Sequence, residues 1–207
     1  MIEGLWFMKE IKSAFTSLRS FIHQRTPLQE EEWEIIQAYF HYQEANANEH
    51  LLEEGKVCEN LYYLYQGMMR FYVWKDGVDR TKFFAYPAYF FTSQASFHSQ
   101  KSATENIQCL EDCKYLAIRY KDREWLKANL PAWNTFAAAL KLEVQEATEN
   151  LLMDFQNANA TERYQLILKE DPILLQRVPL KYLASYIGVT PESLSRIRKN
   201  LLQESRT

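Results

Sequence analysis

The sequence predicts an α+β chain made of a helix-flanked β-roll, a long helix with an apolar seam, and a C-terminal helix-turn-helix. Three observations carry that prediction. From His50 to Ile118, short runs rich in Tyr, Phe and Val are broken by Glu54-Gly55, Gln66-Gly67 and Asp76-Gly77. From Trp133 to Leu151, apolar residues recur at spacings of four and three. From Leu180 to Lys199, two amphipathic runs stand on either side of Gly188.

Taken in order, residues from about Met1 to Ala47 read as helical. Glu3, Lys9, Glu10 and Lys12 interrupt any apolar signal run, so this stretch opens an amphipathic helix. Thr26, Pro27 and Gln29 then supply an N-cap, a first-turn proline and a capping partner ahead of EEEWEIIQAYF. Within the roll, Asp76-Gly77 between RFYVWK and VDRTKFF is a two-residue hairpin signal. Helix returns from about Arg123 to Gln156, and its seam of Trp133, Ala137, Leu140, Val144, Ala147 and Leu151 calls either for a partner helix or for packing on the roll. Asn159 and Glu162 form a capping pair for the next helix, which Asp171-Pro172 ends.

The C-terminal stretch is the most specific. Leu180, Leu183, Ala184 and Ile187 share one face, and Gly188 supplies the positive φ of a tight turn. Thr190 is a good N-cap, Pro191 a good first helical residue, and Glu192 suits the positive end of the helix dipole. Ala184, Gly188, Leu194 and Ile197 provide the small crossing residue, the turn glycine and the buried inner face. Glu192, Ser195, Arg196 and Lys199 are left on the outer face, with Arg198 at its flank, where base edges and phosphates of DNA would lie.

Composition narrows the class. The 207 residues carry 24 Lys plus Arg and 27 Asp plus Glu, a net charge of -3. That charge is uneven, because residues from Thr161 onward hold 8 basic and 5 acidic side chains, which places a basic excess at the helix-turn-helix. No run of about 18 apolar residues exists, so no membrane helix is expected. Three cysteines, Cys58, Cys109 and Cys113, argue against a disulfide framework and for a reducing cytoplasm. His23, His41, His50 and His98 show no metal-ligand spacing, and no phosphate loop or catalytic triad stands out. The expectation is a protein that is not an enzyme and holds no metal, iron–sulfur cluster or other cofactor.

The order of roll, seam helix and helix-turn-helix, with GKVCENLYYLYQGMMRFYV near the start of the roll and TERYQLILKEDPILLQRVPLKYLASYIGVTPESLSRIRK at the end, resembles the Crp/Fnr family of bacterial transcription regulators over about residues 30 to 203. The resemblance implies a cyclic-nucleotide-binding-type jelly roll (a double-stranded β-helix) with N-terminal helices over 1–128, a dimerisation helix over 129–157, and a DNA-binding domain over 158–207. It implies a homodimer formed along the seam helix, with one recognition helix per half of a palindromic site and a change in the angle between the long helices as the switch. RNA polymerase and an unknown small-molecule effector are its further candidate partners. The family's recognition helix often carries Glu-x-x-Ser-Arg, matched here by Glu192, Ser195 and Arg196. Glu192 would accept from a cytosine amino group, and Arg196 would hold guanine O6 and N7.

The chain also departs from that pattern. Pro191 stands where the cyclic-AMP-responsive member has a contacting arginine, so a different half-site is expected, and no hairpin wing is expected after Leu202. Cyclic-nucleotide binders of this fold carry Gly-Glu-Leu and then Arg-Ser-Ala. Here Thr92 and Ser93 replace Gly-Glu, and Lys101, Ser102 and Ala103 replace Arg-Ser-Ala. The ribose anchor is lost, and lysine offers a point charge in place of a bidentate fork. Thr92, Ser93, Lys101 and Ser102 would line a pocket for some other ligand, or Phe83, Phe84, Tyr86, Tyr89, Phe90, Phe91 and Phe97 fill the region as core. The rival reading is a dimeric ligand-sensing or protein-interaction module without specific DNA binding. The polar outer face, with no exposed Leu, Phe or Met among those positions, favours DNA.

Overall fold

Asp76 and Gly77 both have positive φ, 55° and 73°, the geometry of the tight turn that matches strand twist. They join β4 (Met69–Lys75) to β5 (Val78–Ala85) where the sequence asks for a hairpin. The computed structural model describes residues 2–204; Met1, with which the N-terminal helical reading begins, and residues 205–207 lie outside. Among the described residues, eight strands form two four-stranded sheets. One has the order β1 (His41–Ala45), β8 (Cys113–Arg119), β3 (Asn60–Gln66), β6 (Tyr89–Phe91); the other has β2 (His50–Leu52), β7 (Asn106–Cys109), β4, β5.

The central strands β3 and β8 of the first sheet are buried on both faces because apolar residues occupy successive positions along them. Tyr63, Phe90, Leu116 and Ile118 point to a helical layer. That layer is α1 (Ile2–His23), α2 (Glu30–Tyr39), α4 (Tyr120–Asn129) and the start of α5 (Pro131–Asn157). Helix α1 sits there because Ala14, Leu18 and Ile22, four apart, are fully buried, while Ser17 hydrogen-bonds the Tyr63 hydroxyl at 2.8 Å. Glu10 pairs with Lys114, whose ammonium also lies 4.9 Å from the Trp6 ring, so the N-terminal segment is a fixed part of the roll. The opposite face carries Tyr62, Phe91 and Tyr115 into the sandwich.

Three local expectations change. His41–Ala45 is a strand, not helix: it pairs with β8 from His41↔Ala117 to Ala45↔Cys113, and this edge pairing overrides its polar sequence. Helix α2 is capped by Gln29, whose N–H donates to Glu32 Oε2 at 2.9 Å, not by Thr26. Leu28 is buried while Pro27 stays exposed, and the helix begins at Glu30. The helix expected from Arg123 onward is two helices, because Leu130, at φ −125° and ψ 101°, is held extended ahead of Pro131.

The chain divides into two compact units. One comprises residues through Phe71 with Phe84–Glu143; the other comprises Tyr72–Phe83 and the chain from Val144 onward. The second holds α6 (Ala160–Glu170), α7 (Pro172–Arg177), α8 (Leu180–Ile187) and α9 (Pro191–Glu204). Helix α6 starts at the expected capping box, in which Asn159 Oδ1 accepts from the N–H of Thr161 and Glu162, and Glu162 accepts from the Asn159 N–H. Among the described residues, no helix is long and apolar enough to cross a membrane.

Candidate nucleic-acid interface

Helix α8 ends at Gly188, whose φ is +86° and whose N–H donates to Ala184 O at 2.9 Å. Arg163, from α6, donates through Nη1 to Ile187 O at 2.9 Å and so satisfies a carbonyl at the end of α8. A Cβ at position 188 would lie 3.3 Å from that same Nη1, in a conformation side chains rarely adopt. The turn passes directly to Thr190, whose Oγ1 accepts from the Ser193 N–H at 3.3 Å and starts α9 at Pro191. Leu183, Ala184, Ile187 and Leu194 are fully buried and hold α8 against α9. Burying a leucine such as Leu194 contributes about 2 kcal/mol.

With the inner face fixed, Glu192, Ser195, Arg196 and Lys199 are all exposed, at spacings that place them on one face of α9. Thr190 is exposed at its N-terminal end. The Glu192 carboxyl is held below the usual carboxylate range by hydrogen bonds from its own backbone N–H and from Thr190, so it stays an ionised acceptor through the neutral range. Arg198, at the flank of this face, is half-buried. Its guanidinium lies over the Tyr164 ring at 5.6 Å, and its Nε is buried, so it ties α9 to α6. A helical wheel of α9 alone cannot show this, because the aromatic ring comes from another helix.

The apolar seam of α5 is divided. Trp133 is 2% exposed and packs on Phe40 and Phe136, with ring centroids at 6.1 and 5.4 Å, so its ring belongs to the roll's core and not to a seam open to a partner. Leu140 also packs partly on that core. Ala137 and Ala147 are exposed, and Val144 and Leu151 are half-buried. Of the expected seam, Trp133 is therefore covered by the roll, while Ala137 and Ala147 are left exposed.

Inside the roll, the four residues expected to line a pocket differ in exposure. Thr92 and Ser93 are buried; Thr92 Oγ1 donates to Asn60 O at 2.8 Å and Ser93 Oγ to Glu105 Oε1 at 2.8 Å. Lys101 and Ser102 are exposed. Aromatic packing accounts for the region. Tyr62 stacks on Phe91 at 5.0 Å, and Tyr115 and Phe71 close on that pair edge-on at 5.7 and 5.8 Å. Burial pushes the Tyr62 hydroxyl up to about 12. Phe84, Phe90 and Phe97 are buried as well, while Phe83, Tyr86 and Tyr89 are half-buried.

Residues 42–129 match the cyclic nucleotide-binding domain family. The solved structures similar to the whole chain point the same way. The catabolite activator protein of Thermus thermophilus is 23% identical, with 89% of this chain and 88% of that one covered and a TM-score of 0.52. The c-di-GMP-responsive global regulator CLP of Xanthomonas campestris is 16% identical over 86% and 93% of the two chains, with a TM-score of 0.68. A Crp/Fnr-family protein from Eubacterium rectale, solved as a candidate transcriptional regulator, is 14% identical over 86% and 85%, with a TM-score of 0.66. At these identities the likeness establishes the fold, a β-sandwich of the cyclic-nucleotide-binding type with attached helices. No curated protein matches the chain.

Proposed function

We propose that this chain is a sequence-specific DNA-binding transcription regulator that acts as a homodimer on palindromic sites and does not take its signal from cyclic AMP. The single observation that carries the reading is the outer face of α9, where Glu192, Ser195, Arg196 and Lys199 stand exposed on a helix whose inner face is locked by Leu194. An anion-rich groove is the surface such a face complements, with Arg196 on guanine, Glu192 on cytosine, and Lys199 and Thr190 on phosphates. The strand orders β1-β8-β3-β6 and β2-β7-β4-β5 support a double-stranded β-helix for the sensor part, over 1–128. The seam helix, 129–157, is the dimer contact in this reading, through Ala137, Val144, Ala147 and Leu151. Residues 158–207 form the helix-turn-helix domain, and RNA polymerase is the downstream partner. The site of action is the cytoplasm, in keeping with three free, buried cysteines.

Cyclic AMP is set aside because the ribose and phosphate anchors are replaced and the hydroxyls of Thr92 and Ser93 are bonded within the protein. The test is selection from random duplex DNA by the purified chain beside Arg196→Ala. An inverted repeat whose guanine preference vanishes in the variant supports the reading. An absence of any recovered motif, with and without cell extract, overturns it.

A further inference from the structure

The outer part of the β4–β5 hairpin, Tyr72–Phe83, falls in the same compact unit as α8 and α9. One side chain fastens it there. Ser185 Oγ, on α8, accepts from the Thr81 N–H at 2.9 Å and donates to Asp79 O at 3.1 Å. Both peptide groups flanking Arg80 are thereby pinned to α8, so the position of Arg80 relative to the two helices is fixed by backbone and not by its own flexible stem. Its side chain is 55% exposed, and its ion-pair partner Asp76 is distant, at 3.9 Å, and itself 76% exposed. Between hairpin and helices lies a cleft of about 540 Å³ walled by Arg80 and Lys181, with Val78, Val189, Thr190 and Pro191 completing it. Lys181 is exposed, with its ammonium over the Tyr182 ring at 4.5 Å. The cleft therefore has a cation on each wall, opens at the positive end of α9, and has one acidic side chain, Asp79, in its lining.

We propose that this cleft receives the DNA sugar-phosphate backbone beside the bases read by α9, and that Arg80 is a phosphate contact supplied by the β-roll's hairpin. The proposal rests on the DNA reading given above. It adds a second element to the interface, outside the helix pair, whose role is to fix register and strength and not to select sequence. Arg80 suits a phosphate because its planar fork gives two parallel hydrogen bonds, and Ser185 fixes the backbone from which it projects.

The experiment is the salt dependence of affinity of the full chain for a random-sequence duplex of about three helical turns, followed by fluorescence anisotropy. Arg80→Ala is expected to reduce the slope of log affinity against log salt by about 0.9, the loss of one phosphate contact. The base preference recovered by selection stays unchanged. Arg80→Lys restores the slope, and Ser185→Ala loses part of it while speeding hydrogen exchange at the Thr81 amide. An unchanged denaturation midpoint in Arg80→Ala shows that the variant is folded. Binding by the native chain with an equal slope in Arg80→Ala overturns the inference and leaves the DNA reading intact. Tighter binding by Arg80→Ala also overturns it, because the hairpin would then obstruct DNA. No binding by the native chain to any duplex overturns the DNA reading itself.

Discussion

The roll interior and the outer face of α9 handle polar groups in opposite ways. In the roll, the buried Thr92 and Ser93 hydroxyls donate to Asn60 O and Glu105 Oε1, and Tyr62 stacks on Phe91. On α9, Glu192, Ser195, Arg196 and Lys199 are held outward by a helix whose inner face is anchored by Leu194. The first set of hydroxyls is bonded within the protein; the second set of polar side chains faces outward. The difference teaches that a shared fold does not by itself carry a ligand site, which must be argued from the residues that would form it.

The contrast is broken most strongly by opening the closed region. Phe91→Ala removes the centre of the aromatic cluster and is expected to cost about 4 kcal/mol of stability in urea denaturation; a loss under about 1 kcal/mol would mean that the interior is not packed as described. Gly67→Ala comes next. Gly67 has φ +100°, and a Cβ there would lie 2.6 Å from Cys113 Sγ and 2.7 Å from Asp112 O, so about 3 kcal/mol is expected from strain and overpacking together, read by the same titration. On the other side of the comparison, Asn159→Ala removes the capping box of α6, the helix that carries Arg163 and Tyr164 to α8 and α9. About 1 kcal/mol is expected, as a shift in melting midpoint. The smallest effect is none: saturating cyclic AMP leaves the melting temperature unchanged, whereas a bound ligand would raise it by mass action. A rise of several degrees would show that the roll still binds the nucleotide.

Much of this molecule is legible from local rules. Asp76-Gly77, Asn159 with Glu162, and Gly188 with Thr190 and Pro191 each specify a backbone geometry within a few residues, and each turns up where the sequence places it. What is not legible depends on partners far along the chain. The polar run His41–Ala45 becomes a strand only because β8 offers its ladder, seventy residues on. Trp133 satisfies the seam's spacing yet turns to Phe40 and Phe136, since spacing alone does not say which neighbour an apolar face meets. The packing of Arg198 over Tyr164 is likewise invisible in the sequence of α9 alone. The role of Ser185 has no sequence signal at all, because its bonds are to the backbone of a hairpin about a hundred residues earlier.

The measurement that tests the central claim most directly is a two-by-two comparison of the native chain and Arg196→Ala on the selected inverted repeat, with guanine or 7-deazaguanine at the preferred position. The native chain is expected to lose about tenfold to a hundredfold in affinity when the N7 acceptor is removed, and Arg196→Ala to lose nothing further. Equal losses in both proteins would contradict the account, because the guanine would then be read by some residue other than the one that α9 presents.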